Sequence, residues 1–205
     1  MTFNIIGSIL SEVTIAVAIC TVILVNSLLR NASVTLIHSL VLFFLSFALF
    51  LSFVSLELPD SNIFDGHYVI DTFGTNLKII ALIAAILVHL GSFKSKQNIK
   101  NEIFLIQLFA TLGVMILCSA HNLLTVYLGL ETLTLSMYGI VASNRNSIEA
   151  TESAMKFFIL GAIASAIFLY GVSILYGVTG TSVSYTHLRA HETRHDLVCR
   201  LLLEK

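Results

Sequence analysis

Six long apolar stretches most constrain what this chain can fold into. Each is long enough to cross about 30 Å of hydrocarbon as an α-helix, and lipid leaves closed barrels and helices as the only spanning structures. Charged residues make up 11% of the chain, against roughly 25% in a soluble domain, and the mean hydropathy is +0.93. The sequence therefore predicts an all-α integral membrane protein with spans at about 12–29, 34–54, 72–91, 103–120, 122–142 and 154–178.

The charges of the connecting loops alternate along the chain. The loops after spans one, three and five hold Arg30, Lys94, Lys96, Lys100 and Arg145, whereas the loop after span two is acidic and has no Lys or Arg. Positive loops stay in the cytoplasm, so the N-terminus is predicted to lie outside. The net charge of −1 gives no basic surface for nucleic acid.

A change of composition near Ser182 predicts a boundary between a membrane domain, 1–182, and a polar tail, 183–205. The tail carries seven charged residues in 23 positions. It resembles adapter DNA translated at the end of a truncated reading frame, so we interpret it as a sequencing or assembly artefact and exclude it from the fold.

The tail contains one motif that suggests chemistry. His191-Glu192-Thr193-Arg194-His195 matches H-E-x-x-H, in which two histidines one turn apart bind zinc and the glutamate is the general base. Neither a third ligand nor a cleft accompanies it in the sequence, so no metal site is predicted.

Glu131 lies near the middle of the fifth span, where an ionisable side chain costs about 2.5–3.5 kcal/mol on insertion scales. Tyr127, Thr134 and Tyr138 lie at i−4, i+3 and i+7 from it, which places the four on one helical face. Central carboxyls of this kind mark ion or proton pathways, so we predict a proton relay at Glu131 supported by that polar stripe. The alternative is a neutral Glu131 that donates a helix–helix hydrogen bond.

Two lysines leave their roles open. Lys156 follows Glu152 by four residues. It could form a salt bridge at the inner end of span six, or it could be buried against Glu131 on the proton path. For Lys78, near the outer end of span three, interface anchoring is the prediction. His38 and His89 are interpreted as packing residues, and Gln107 with Thr111 as an interhelical polar contact.

Two runs of residues resemble subunit N of the proton-pumping NADH–quinone oxidoreductases, the family of respiratory complex I. One runs from Leu117 to Tyr138 through Glu131; the other begins at Lys156-Phe157-Phe158-Ile159-Leu160-Gly161-Ala162 and continues to Leu175-Tyr176-Gly177. The start of the third span, Asp71 to Lys78, also matches, so the resemblance covers about 71–181.

The resemblance implies a 14-helix antiporter-like fold built from inverted five-helix repeats. This chain would supply its first six helices and so be an N-terminal fragment. Glu131 would be the key protonatable residue and Lys156 a second one. The resemblance also places NADH oxidation and quinone reduction on other subunits. Ser136 departs from the family pattern, because many relatives have proline at this position. The resemblance therefore does not predict whether span five has the kink that proline gives a helix.

The function expected from the resemblance is a membrane subunit that forms part of a proton channel coupled to electron transfer from NADH to quinone. NAD, FMN, iron–sulfur clusters and quinone are expected on partner subunits and no cofactor on this chain. Neighbouring antiporter-like subunits and lipid are the expected partners, with quinone as an indirect one. A bacterial inner membrane is favoured over a mitochondrial one. The alternatives are a subunit of a multicomponent cation/proton antiporter and a non-conducting membrane scaffold.

Overall fold

A computed structural model describes residues 2–29, 33–57, 61–63, 68–94, 101–144 and 147–180. Within these ranges it has six helices long and apolar enough to cross a membrane, which confirms the predicted multi-pass helical fold. The helices are α1 (Thr2–Leu28), α2 (Val34–Ser55), α3 (Thr72–Lys94), α4 (Asn101–Ser119), α5 (Leu123–Ala142) and α6 (Ile148–Thr179). The polar tail with its His191–His195 motif lies outside the described residues.

The structure differs from the sequence-based spans at two helix starts. Helix α1 begins ten residues before position 12, and α6 begins six before position 154. Ser147 explains the second start, because its hydroxyl accepts a hydrogen bond from the amide of Ala150 as an N-cap. At the other end of α6, Gly180 has a φ of 68°, the left-handed conformation with which helices commonly end.

A short antiparallel hairpin that the sequence did not predict joins α2 to α3. Strands β1 (Ser61–Ile63) and β2 (Tyr68–Ile70) pair with Ser61 opposite Ile70 and Ile63 opposite Tyr68. Tyr68 also forms a bridge with Ala120, beyond the end of α4. The hairpin therefore lies over the end of the helices that loop charge assigns to the outside, which we call the outer end.

Helices α1 to α4 form a bundle in which each helix packs against the next and α1 packs against α4. Their buried side chains recur every three or four residues, as a helical stripe requires. The stripes comprise Ile15, Ala18, Ile19 and Val22 on α1; Ile37, Val41, Leu45 and Ala48 on α2; Leu82 on α3; and Phe104, Leu108 and Met115 on α4. The main apolar core thus lies within the first four helices.

Helix α5 joins this bundle through two glycines. A Cβ at Gly113 would lie 2.8 Å from the Leu133 amide nitrogen and 3.0 Å from the Gly129 carbonyl oxygen. Small residues of this kind let membrane helices approach closely. Helix α6 packs against α5, and we call the interface between these two helices the seam. The close contact of α4 with α5 therefore fixes the position of the seam, and of Glu131, relative to the bundle.

Candidate proton-transfer site

The carboxyl of Glu131 points into the seam between α5 and α6. Ser165, on α6, donates a hydrogen bond of 2.7 Å from its hydroxyl to Glu131 Oε2. Both side chains are partly buried. Glu131 is therefore held by a neighbouring helix, as expected for a polar group at this depth.

The predicted polar stripe divides between the seam and the helix's own backbone. Tyr127 stacks on Phe168 of α6 with ring centroids 6.2 Å apart, and Tyr138 meets Phe157 edge-on at 4.9 Å. Thr134 instead donates its hydroxyl to the Glu131 carbonyl oxygen at 3.1 Å. The two tyrosines and Glu131 thus share the face that α6 covers.

Tyr138 fits against a glycine of the opposite helix. A Cβ built at Gly161 would overlap the Tyr138 hydroxyl, so only glycine leaves room for the phenol. Tyr138 also lines an apolar cleft of about 550 Å³ at the inner end of the seam, together with residues such as Ala142, Thr151 and Met155. A phenol hydroxyl thus lies between this cleft and the level of Glu131.

Lys156 does not contact Glu131 in this structure. Its ammonium pairs with Glu152 Oε1 at 2.6 Å, and 70% of the Lys156 side chain is exposed. Lys156 and Ser165 are nine positions apart, which is about two and a half helical turns, so the two lie on opposite faces of α6. Of the two arrangements left open by the sequence, the structure has the local salt bridge.

A second polar cluster lies inside the α1–α4 bundle. The Lys78 side chain is only 2% exposed, and its ammonium pairs with Glu12 Oε1 at 2.5 Å. The predicted interface anchoring of Lys78 is wrong, because the ammonium turns inward to a carboxylate instead of outward to lipid headgroups. Sequence reasoning missed Glu12, which lies at the position where span one was predicted to begin.

Tyr68 closes this cluster from the hairpin. Its hydroxyl donates to Glu12 Oε1 at 2.6 Å, and its ring lies 5.3 Å from the Lys78 ammonium. Ser11 donates to the other carboxylate oxygen at 2.8 Å. Burial, followed by the charge of Glu12, raises the pKa of Tyr68 well above its usual value, so the phenol remains a donor.

The two histidines pack together at the opposite end of the bundle. His38 and His89 stack with ring centroids 4.3 Å apart. His89 Nε2 lies 3.2 Å from the His38 carbonyl oxygen, and Nδ1 lies 3.3 Å from Gln107 Oε1. The predicted packing role of these histidines and the interhelical contact of Gln107 are confirmed; Thr111 donates to its own helix, at the Gln107 carbonyl.

Among these groups, the seam offers what proton transfer needs. A carboxyl can bind and release a proton, and hydroxyls can donate and accept in turn. Glu131 and Ser165 provide that pair in contact, whereas Glu12 already accepts three donors. Within the described ranges, no three His, Cys, Asp or Glu side chains come together to hold a metal ion.

The geometry defines a class first: a multi-pass helical membrane protein with a carboxyl held between two spanning helices. A family model described as NADH:quinone oxidoreductase/Mrp antiporter, TM, matches residues 120–203. The match includes helices α5 and α6, and the resemblance to subunit N that was inferred from the sequence is confirmed.

Particular relatives refine the comparison. NADH-quinone oxidoreductase subunit N of Nitrosomonas europaea is 50% identical over 121 residues, which are 58% of this chain and 25% of that protein. Subunit N of Alkalilimnicola ehrlichii is 40% identical over 175 residues, 84% of this chain and 36% of that protein. The chain thus spans about a quarter to a third of the length of these curated relatives.

A solved structure also matches. A chain of respiratory complex I from Thermus thermophilus with bound aureothin superposes with a TM-score of 0.70 and 28% identity, over 84% of this chain and 38% of that chain. This chain therefore shares its fold, over most of its length, with a chain of a respiratory complex.

Proposed function

We propose that this chain is part of the proton-translocating membrane subunit of a NADH–quinone oxidoreductase, and that Glu131 binds and releases the transported proton. The observation that carries the proposal is the position of Glu131. It is a carboxyl near the middle of α5, partly buried and hydrogen-bonded across a helix seam, in a chain whose curated relatives are named subunit N. A buried ionisable group at this depth has a free-energy cost that function explains.

The remaining parts of the proposal follow from this assignment. Tyr127, Thr134 and Tyr138 would support the carboxyl along its face of α5. Lys156, which faces away from the seam, would act toward a neighbouring segment or subunit rather than on Glu131 directly. The partners would be other membrane subunits of the complex, and NAD, FMN, iron–sulfur clusters and quinone would be bound by those partners in a bacterial inner membrane.

A cation/proton antiporter subunit is the second candidate, because the matching family description includes Mrp antiporters. Subunit N is favoured by the names of the curated relatives and by the respiratory complex that the fold resembles. The two differ in what drives proton movement, which is NADH oxidation in one and a cation gradient in the other.

The test is Glu131→Gln in the assembled complex, studied in inside-out membrane vesicles. Glutamine keeps the size and the acceptor for Ser165 but cannot bind a transported proton. We expect NADH-driven proton uptake to be lost, by about 100-fold or more if the carboxyl is an obligatory proton carrier. Uptake is read from the quenching of a ΔpH-sensitive dye.

Glu149→Gln is the matched control, because Glu149 is exposed in the first turn of α6. It should pump as the unmodified protein does. Unchanged NADH-driven proton uptake in Glu131→Gln would show that Glu131 does not carry the transported proton, and a non-conducting scaffold would be the remaining role. Uptake that responds to a sodium gradient and not to NADH would favour the antiporter.

A further inference from the structure

Ser165 differs from most hydroxyl side chains in these helices. Serine and threonine within a helix usually donate to the carbonyl three or four residues earlier. Thr132 and Ser136 on α5 do so, at 2.8 and 2.7 Å, as does Ser52 on α2 at 3.0 Å. Ser165 instead donates across the seam to Glu131, although the Gly161 carbonyl lies one turn earlier on α6.

We propose that Ser165 is a positioning residue for Glu131, whose hydroxyl switches between two hydrogen bonds as the carboxyl gains and loses a proton. The proposal rests on the proposed function of Glu131. With the carboxylate charged, the Ser165 O–H donates to Oε2, as observed. With the carboxyl neutral, its new O–H donates to Ser165 Oγ, and the serine proton turns to the carbonyl of Gly161.

The step balances with a hydronium ion from the cytoplasmic water as the one co-reactant. The hydronium gives its proton to the carboxylate and becomes water, the carboxyl loses one negative charge, and the serine keeps its own proton throughout. A hydroxyl suits this exchange because it has one donor and two acceptor lone pairs. Neither state leaves the carboxyl without a partner, and an unpaired buried polar group is costly.

The surroundings of Gly161 fit the second state. Its missing Cβ leaves the space that the Tyr138 hydroxyl occupies, so the seam stays polar one turn inside Ser165. The cleft lined by Tyr138 and Ala154 opens beyond it. The switch thus stands between Glu131 and the inner end of the seam, where it controls which way the carboxyl points when the proton arrives.

The experiment compares Ser165→Ala with Ser165→Thr in the assembled complex, with Ser173→Ala, an exposed serine on the same helix, as the control. We expect NADH-driven proton uptake to fall about tenfold in Ser165→Ala, the effect of one lost hydrogen bond to a charged group. Threonine keeps the hydroxyl and should restore uptake, and Ser173→Ala should not change it.

Infrared difference spectra measure the C=O stretching band of the Glu131 carboxyl, which would not shift if Ser165 served only to pack the two helices. The C=O band assigned to neutral Glu131 by its loss in Glu131→Gln should shift to higher wavenumber in Ser165→Ala and return in Ser165→Thr. If Ser165→Ala does not assemble, the isosteric pair Ser165→Thr and Ser165→Val makes the same comparison. An unmoved band together with normal uptake would overturn the switch, even where loss of uptake in Glu131→Gln upholds the proposed function.

Discussion

The ammonium of Lys78 and the carboxylate of Glu12 form an ion pair in the interior of the α1–α4 bundle, with side chains that are 2% and 9% exposed. Helices α1 and α3 both border α2 and α4, so the pair connects helices across the bundle. Because Ser11 and Tyr68 also donate to Glu12, the carboxylate has three donors and both of its oxygens have a partner. The pair, with Tyr68, joins the outer halves of α1 and α3 to the hairpin.

Removing one partner of this pair should be more harmful than removing both. Glu12→Gln or Lys78→Met leaves a buried charge unpaired, and we expect each to lower the free energy of unfolding by about 3–5 kcal/mol. The double variant should lose much less than the sum. Denaturant unfolding of the detergent-solubilised chain, followed by circular dichroism, measures the cycle.

The exposed pair Glu152–Lys156 provides the matched control. The same substitutions there should change the free energy of unfolding by less than about 1 kcal/mol, because water and headgroups replace the lost contact. Additive losses at Glu12 and Lys78 would mean that the two charges are stabilised separately, contrary to the geometry.

Tyr68 predicts an alkaline limit to stability. Burial and the neighbouring Glu12 carboxylate raise the pKa of its phenol in the folded chain. The stabilisation is therefore complete below the unfolded pKa of about 10 and is lost as the pH rises above it, because only the unfolded state then releases the proton.

Tyr68→Phe should remove this contribution. Above pH 10 the unfolding free energy of the unmodified chain should fall by up to about 1.4 kcal/mol per pH unit more than that of Tyr68→Phe. The variant should also be less stable at neutral pH, because Glu12 loses a donor. Tyr176→Phe, at a tyrosine that is 56% exposed, should keep the slope of the unmodified chain; equal slopes in all three would contradict the prediction.

The number of helices and the face of Glu131 were predictable from the sequence because both depend on local pattern. A span is an uninterrupted apolar stretch, and the spacing of Tyr127, Glu131 and Tyr138 fixes their common face on α5. Helix α5 is also continuous through Ser136, whose hydroxyl donates to Thr132. The helix that covers that face, and the hydroxyl that meets the carboxyl, depend on how α5 and α6 pack.

Glu12 and Lys78 show why the rest was not predictable. No charged residue precedes Glu12, so the apolar pattern alone could not tell whether α1 starts before it or at it. A lysine six residues into a span can reach either the headgroups or the bundle interior, since its stem is long enough for both. Partners 66 positions apart in sequence become visible only once the helices are arranged.

The α4–α5 contact gives a test of what fixes Glu131 in place. In Gly113→Ala the new Cβ would lie 2.8 Å from the Leu133 amide nitrogen and 3.0 Å from the Gly129 carbonyl oxygen. Both are backbone atoms, so the helices must separate. We expect an unfolding free energy lower by about 1–3 kcal/mol, the usual cost of overpacking.

Separating α4 from α5 should also displace the α5–α6 seam, because Glu131 lies on α5 and would move with it away from the α1–α4 bundle. Gly171→Ala is the control, since nothing lies within 4 Å of a Cβ built there. Alanine favours helix over glycine by up to about 1 kcal/mol, so Gly171→Ala should be neutral or stabilising in the same unfolding assay. A Gly113→Ala variant as stable as Gly171→Ala would show that α4 and α5 can shift apart at no cost, and that the position of Glu131 is set by α6 instead.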